Sequence, residues 1–160
     1  MRDLARIRTL TILEGLNAQR KRLVLLFIKE AGLIRHNPVI NLAGADFNKV
    51  VLRRHDLSES SFLGVSFSKS NMSGVNLHGA NLCKADLTEI KLNGANLTGA
   101  NLQYADLTRA DLRNTDLTDA QIIGVNLSGA TLKGAKILDS QLAGVSSLKG
   151  MILPSGKRQK

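Results

Sequence analysis

Gly94-Ala95-Asn96-Leu97-Thr98-Gly99-Ala100-Asn101-Leu102-Gln103 is one five-residue unit written twice, and its reading decides the fold. Outward from it the large apolar residue returns at every fifth position, from Leu42 through Phe47, Phe62, Phe67, Met72, Leu87 and Ile122 to Leu142, 21 positions in all. An α-helix repeats its face near 3.6 residues, so steps of five would carry the leucines round every side of the cylinder. A straight strand alternates with period two, and an odd step would place successive leucines on opposite faces. Neither regular element buries this pattern on one side. Within a unit, Ala80 and Leu82 are two apart and both point inward while Asn81 points out; Cys83 and Lys84 must then turn the chain. Each unit is therefore a short extended segment plus a corner. Glycine holds one corner phase, two residues after the large one, at ten positions from Gly44 to Gly144, where turn dihedrals cost it little.

Units such as Gly94–Thr98 and Gly99–Gln103 resemble the pentapeptide repeat family, whose unit reads A-(D/N)-L-x-x, over about residues 40–145. The resemblance implies an all-β solenoid, a right-handed quadrilateral β-helix with four units per coil. On that basis the 21 units make about five coils. At roughly 4.8 Å between stacked strands the rod is on the order of 25 Å long, with Phe47 directly beneath Phe67. A solenoid buries its core between neighbouring coils and needs closed ends. Residues 1–39 are expected to form an N-terminal helical cap, 40–145 the β-helix, and 146–160 a C-terminal cap segment with a loose basic tail.

The net charge of +9 does not belong to the repeats. Residues 1–40 carry 8 Lys/Arg against 3 Asp/Glu, residues 41–145 carry 10 against 10, and residues 146–160 add 4 cations and no acid. With no Trp, one Tyr and 3% aromatic residues, extensive base-stacking platforms are not expected, and no specific nucleic acid partner is. The single cysteine, Cys83, excludes an intramolecular disulfide framework and suits a reducing compartment, so the expected location is cytoplasmic. No signal peptide follows Met1-Arg2-Asp3, and the longest apolar run, residues 23–28, is too short to span a bilayer.

Ahead of the repeats, residues 1–16 read as a short helix on Leu4, Ile7, Leu10 and Leu13. Asn17 suits the N-cap of a second helix over 19–31, stopped by Gly32. That helix is basic at its front (Arg20, Lys21, Arg22) and apolar nearly all round at its rear. Leu23, Leu26, Phe27 and Ile28 are therefore candidates either to cap the first coil or to join a second subunit. Residues 16–34 with Pro38–Leu42 also resemble a segment found ahead of the repeats in a bacterial subgroup of the family, often downstream of transmembrane helices.

Steps of 20 sort the outward residues onto four sides. The basic one carries Arg53, Arg54, Lys91, Arg113 and Lys133 against Asp111. The acidic one carries Asp56, Glu59, Asp116, Asp119 and Asp139 against Lys136, and a mixed one stacks Lys69, Glu89 and Arg109 as an alternating ladder. The fourth has Lys84 as its one charge; there Leu63, Cys83, Gln103, Tyr104 and Ile123 form a candidate protein-contact face. His55, Ser60 and Ser70 take inward phases usually given to Ala. His36 and His78 stand isolated, with no ligand-spaced partner, so neither a metal nor a cofactor is expected. No Ser/His/Asp or Cys/His set and no phosphate-binding Gly-Lys-Ser/Thr loop appears, so the chain is not expected to be an enzyme.

The expected function is a non-enzymatic scaffold or protein-interaction rod whose partner is unknown, with a homodimer through an end cap or the neutral side as one form. One alternative comes from the family, some of whose members mimic DNA and protect or inhibit type II topoisomerases. Another is peripheral membrane attachment through Arg20-Lys21-Arg22 with Leu23 and Phe27. The mimic wants an acidic, duplex-like surface, and these repeats are neutral overall with no loop inserted between Leu42 and Leu142.

Overall fold

The computed structural model describes residues 9–35 and 38–159. The expectations for Leu4, Ile7, His36 and Lys160 lie outside them. Backbone pairing joins residue i to residue i+20 in parallel along four columns. Side A runs Asp46, Ser66, Asp86, Asp106, Asn126; side B runs Val51, Asn71, Lys91, Asp111, Thr131. Side C runs Asp56, Asn76, Asn96, Asp116, Lys136, and side D runs Ser61, Asn81, Asn101, Gln121. The chain is thus a four-sided solenoid that completes one coil with every fourth unit.

One unit, residues 81–85, shows why so short a repeat suffices, because every amide in it has an acceptor. Asn81 donates to the Ser60 carbonyl below (2.9 Å), while Leu82 and Lys84 donate to Asn101 and Gln103 above (2.7 and 2.9 Å). Ala85 donates back to Leu82 (3.1 Å), closing the corner, and Cys83 donates to the Asn81 side-chain Oδ1 (3.1 Å). That last bond explains the Asp or Asn before each leucine: its side chain caps the amide two residues on. A Ser or Thr at that second position adds its hydroxyl to the same oxygen, as Thr98 does to Asn96 at 2.6 Å. The corner needs a left-handed residue at its fourth position, and Lys84 (φ 58), Glu89 (φ 55) and Tyr104 (φ 60) accept that strain where glycine is absent.

The inward leucines and alanines form one continuous buried core, with Leu52, Leu97, Ala100 and Leu102 fully enclosed. Phe47 and Phe67 stack one turn apart with ring centroids at 5.6 Å, and Phe62 meets Phe67 edge-on at 5.2 Å. Ser70, fully buried, donates to the Phe47 carbonyl (3.0 Å) and accepts from the Val50 amide (3.1 Å), so its hydroxyl is satisfied inside the core. Thr115 bonds the Leu112 carbonyl at 2.7 Å in the same way. His55 is half-buried and its Nδ1 meets the Arg53 carbonyl at 3.0 Å.

Residues 9–14 are helical, and α1 spans Ala18–Glu30. Asn17 Oδ1 accepts from the Arg20 amide (3.0 Å). Gly32 (φ 68) ends the helix by letting Leu33 and Gly32 donate to Ile28 and Lys29. Leu25 and Ile28 join the core of the repeats and Leu26 packs half-buried against it. The helix is not buried all round, however. Leu23 and Phe27 are 58% and 69% exposed, while Lys21, read from the sequence as part of a basic front, is buried. The helix turns Lys21 inward because its Nζ reaches Asp46 at 2.8 Å.

Four expectations at the other end need correction. The repeat phase does not run cleanly to Leu142: a short helix, α2 (Asp139–Leu142), interrupts it, and the next pairings slip by one position, to Asn126 with Ser147 and Thr131 with Ile152. Asp139, counted with the acidic side, sits in α2 instead, and Gly144 is not left-handed as the other glycines of its phase are. The basic tail is not loose up to residue 159. It folds back antiparallel, with Gln159 donating to Met151 (2.7 Å) and Leu153 to Lys157 (2.8 Å), over a fully buried Met151.

Replacing Leu102 by Ala should cost roughly 2–5 kcal/mol in denaturant unfolding, whereas Leu63→Ala, at a corner 40% exposed, should cost less than about 1 kcal/mol. Equal losses would mean that the two leucine phases do not divide into inside and outside.

Candidate interaction surfaces

Side D keeps its single charge, Lys84, and places two large apolar residues on adjacent coils. The Tyr104 amide donates to the Ile123 carbonyl at 3.0 Å, so the two residues lie on adjacent coils, 60% and 56% exposed. A Cβ built on Gly124 would meet the Tyr104 ring at 2.5 Å, so the ring lies along the rod over that glycine, the residue after Ile123. Beyond them α2 leaves a depression of about 380 Å³ lined by Ile123, Ser140, Gln141 and Gly144. Gln141 is fixed there, its Nε2 donating to the Leu117 and Ala120 carbonyls (3.0 and 2.9 Å). Leu63 shares the column of Ile123 but stands three coils away, with half-buried Cys83 and Gln103 between them. The expected contact face therefore divides, and its apolar centre is at the Tyr104–Ile123 end. Sequence spacing put these residues on one side; the lean of the ring over Gly124 and the recess beside α2 were not visible in it.

Side B holds Arg53, Arg54, Lys91, Arg113 and Lys133, and their charges are not equivalent. Arg113 is engaged by Asp111 in a two-pronged pair, both contacts at 2.7 Å. Arg53 and Arg54 border a polar groove of about 300 Å³ with Ser73 and Asn93, and the Arg54 stem lies over Gly74. The ladder expected of Lys69, Glu89 and Arg109 contains no close ion pair; contacts there are between hydroxyls, Ser68 with Thr88 at 2.8 Å.

Five carboxylates of the repeats are held below the usual carboxylate range, chiefly by the hydrogen bonds they accept. Thr118's hydroxyl first, then Lys136's ammonium at 2.9 Å, hold the Asp116 pKa down to about 2. Arg113 lowers Asp111, and the Ser58 amide lowers Asp56. Burial works against Asp46 and Asp86, but the Lys21 ammonium and the Thr88 amide, with their other hydrogen bonds, outweigh it and leave both lowered. On side C the amides of Asn76 and Asn96 step from coil to coil, Asn76 donating to Asp56 (2.9 Å) and Asn96 to Asn76 (3.1 Å). Among the described residues no group of His, Cys, Asp and Glu is placed to hold a metal ion, and no helix is long and apolar enough to cross a membrane.

A model of the pentapeptide repeats matches this chain in eight copies, through segments 40–79, 52–89, 76–114, 95–134 and 110–146. The chain belongs to the pentapeptide repeat family. Among solved pentapeptide repeat proteins, one from the Arabidopsis thaliana thylakoid lumen is 26% identical, over 74% of this chain and 83% of that one, at a TM-score of 0.36. One from Nostoc PCC 7120 is 25% identical over 76% and 91% of the two chains, at a TM-score of 0.41. QnrB1, a plasmid-mediated fluoroquinolone resistance protein, is 18% identical over 69% and 83%, at 0.29. No curated protein sequence matches significantly. Pentapeptide repeat proteins are in general structural or interaction modules.

A carboxylate whose pKa is lowered by folding stabilises the fold above its unfolded value, near 4, and loses that contribution as the pH falls through its folded value. Urea midpoints should therefore hold steady above about pH 5 and fall between pH 4 and 2. Asp116→Asn keeps the acceptor for the Thr118 amide and removes the titration, so its midpoint should fall less over that range. Parallel declines would show that Asp116 is not held low.

Proposed function

We propose that this pentapeptide repeat protein is a non-enzymatic interaction rod, a right-handed β-helix of about five coils capped at its N-terminal end by α1. Its partner is another protein, docked on side D around Tyr104 and Ile123. The observation that carries this reading is the pairing of two large, mostly exposed apolar residues on adjacent coils of the side with one charge. Interface centres are rich in tyrosine and poor in charge, and a ring already held over Gly124 has less freedom to lose on binding. Sides B and C carry opposite charge and suit solvent or steering; side D neither repels a second copy nor attracts a polyion. Leu25 and Ile28 support the end-cap role, since they complete the leucine core where no further coil covers it. A lone half-buried cysteine supports a reducing, cytoplasmic setting.

A photoreactive side chain at position 104 should cross-link to a single protein species, where one at Lys91 on side B does not, and Ile123→Glu should abolish the product. Light scattering of the pure chain, 17.3 kDa as a monomer, tells whether that species is a second copy. Equal cross-linking from both positions, or no effect of Ile123→Glu, would remove side D as the contact. Inhibition or protection of topoisomerase supercoiling by micromolar protein would replace this reading with the DNA-mimic one.

A further inference from the structure

The zero net charge of the repeats conceals how the fold sorts it. Two corner columns border side B. The one shared with side A stacks Lys49, Lys69, Glu89 and Arg109, each donating its amide to the coil above, and Lys149 extends it by accepting from Gly129 (2.9 Å). The one shared with side C carries Arg53 with Arg54, then Arg113 and Lys133, and Lys91 stands in the column between. The folded-back tail adds a last rung, because Arg158 pairs antiparallel with Ile152 at the end of that column. A Cβ built on Gly156 would lie 4.0 Å from Lys133 Cε, so Lys157 follows directly beside the same corner. Side B with its two corners thus holds 11 of the 13 Lys/Arg of residues 41–159 and 2 of their 10 Asp/Glu, a net of +9, with every one of those cations exposed. The other three sides hold the remaining 2 cations and 8 acids.

Scattered cations are ordinary solvated groups, whereas a strip of one sign along a whole rod sets up a field that gathers anions. What lies between the cations decides which anion. Ser73 and Asn93 line the polar groove beside Arg53 and Arg54. Among the described residues, Val51 is the one large apolar side chain mostly exposed on this side. A protein interface takes an apolar or aromatic centre, and a membrane surface takes apolar side chains that insert; side B offers neither. Nucleic-acid interfaces are more polar and far more basic, and phosphate oxygens accept from Arg, Lys, Ser and Asn alike. Five coils at roughly 4.8 Å make a strip on the order of 25 Å long, the length of about seven base pairs. We propose that side B with its two corners binds the phosphate backbone of a nucleic-acid duplex without reading its sequence. The single Tyr, on side D, leaves this strip without an aromatic ring to stack on bases. The acidic remainder turns the other three sides away from the same polyanion, so the rod docks in one orientation. Side D lies opposite and stays open to a protein, so the two contacts stand or fall separately.

The test is fluorescence anisotropy of two labelled DNA duplexes of unrelated sequence, each about 20 base pairs, titrated with the full-length chain from about 0.05 to 0.2 M salt. Both should bind alike, with a Kd of about 1–100 µM near 0.15 M salt. If about half of these cations reach phosphates, log K should fall against log salt with a slope of about −5. Lys69 and Lys84 give a matched pair of variants. Both are exposed and take the same left-handed corner position (φ 60 and 58), one at an edge of side B and the other at an edge of side D. Lys69→Glu and Lys84→Glu therefore change net charge and backbone strain equally. Lys69→Glu should weaken both duplexes about tenfold and flatten the salt slope by about 1. Lys84→Glu should stay within about twofold of the wild type. Lys133→Glu repeats the comparison from the other corner column, and unchanged melting temperatures show that each variant is folded. No binding at the lowest salt, or equal losses in Lys69→Glu and Lys84→Glu, would overturn the proposal. So would tighter binding, charge for charge, to phosphatidylserine vesicles or to oligoglutamate, which would give side B to a membrane or to an acidic protein.

Discussion

Everything in this molecule depends on the hydrogen bond between one coil and the next, repeated along the parallel pairing of residue i with residue i+20. Each five-residue unit has five amides, and the unit 81–85 places two upward, one downward, one across its own corner and one on a side chain. No amide is left over, which is what allows a chain with almost no regular strand to enclose leucine after leucine without burying an unsatisfied polar group. The residue types follow from that assignment. Leucine fills the interior, alanine fits where the chain turns inward, and Asp or Asn supplies the acceptor its own corner lacks. The fourth position must bend to the left, and it takes glycine or a residue that accepts the strain, such as Lys84, Glu89, Tyr104, Asn114 or Asp119.

The same bonding scheme locates where something else is needed. A solenoid satisfies itself internally and leaves its two ends without partners. The C-terminal end is closed by residues 146–159, which shift register by one, bury Met151 and fold the basic tail back on itself. The N-terminal end is covered by α1 and the turn after it, through Lys21, Lys29 and Ile34. Surface chemistry divides accordingly. The long sides vary in charge because their outward residues are free of the backbone bonding scheme. The ends are constrained by it.

The repeats were legible from sequence because period five leaves one physical solution for burying the large residue, and residues 42–137 obey it without exception. Side membership rested on the family resemblance, which implies four units per coil: Tyr104 and Ile123, or Arg53 and Arg54, fall where steps of 20 put them. The parts that escaped depend on contacts between distant segments. Lys21 reads as a solvent-facing cation until Asp46, from the first coil, is placed within 2.8 Å of it. Asp139 reads as one more acidic rung because its spacing is right, and only the register shift to Ser147 shows the phase already broken. The unpaired Arg22 Nε has no sequence signal at all, since its lack of a partner is a property of how α1 lies over the first coil.

The coil register itself is open to direct measurement, by scalar couplings across hydrogen bonds in a labelled sample. The amides of Leu82, Leu97 and Leu102 should couple to the carbonyl carbons of Asn101, Asp116 and Gln121, where the donor–acceptor distances are 2.7, 2.8 and 2.8 Å. Coupling of Leu82 to Asn96 or to Asp106 instead, one unit short or one unit long, would mean three or five units per coil. Either would contradict the four-sided account and every surface assignment built on it.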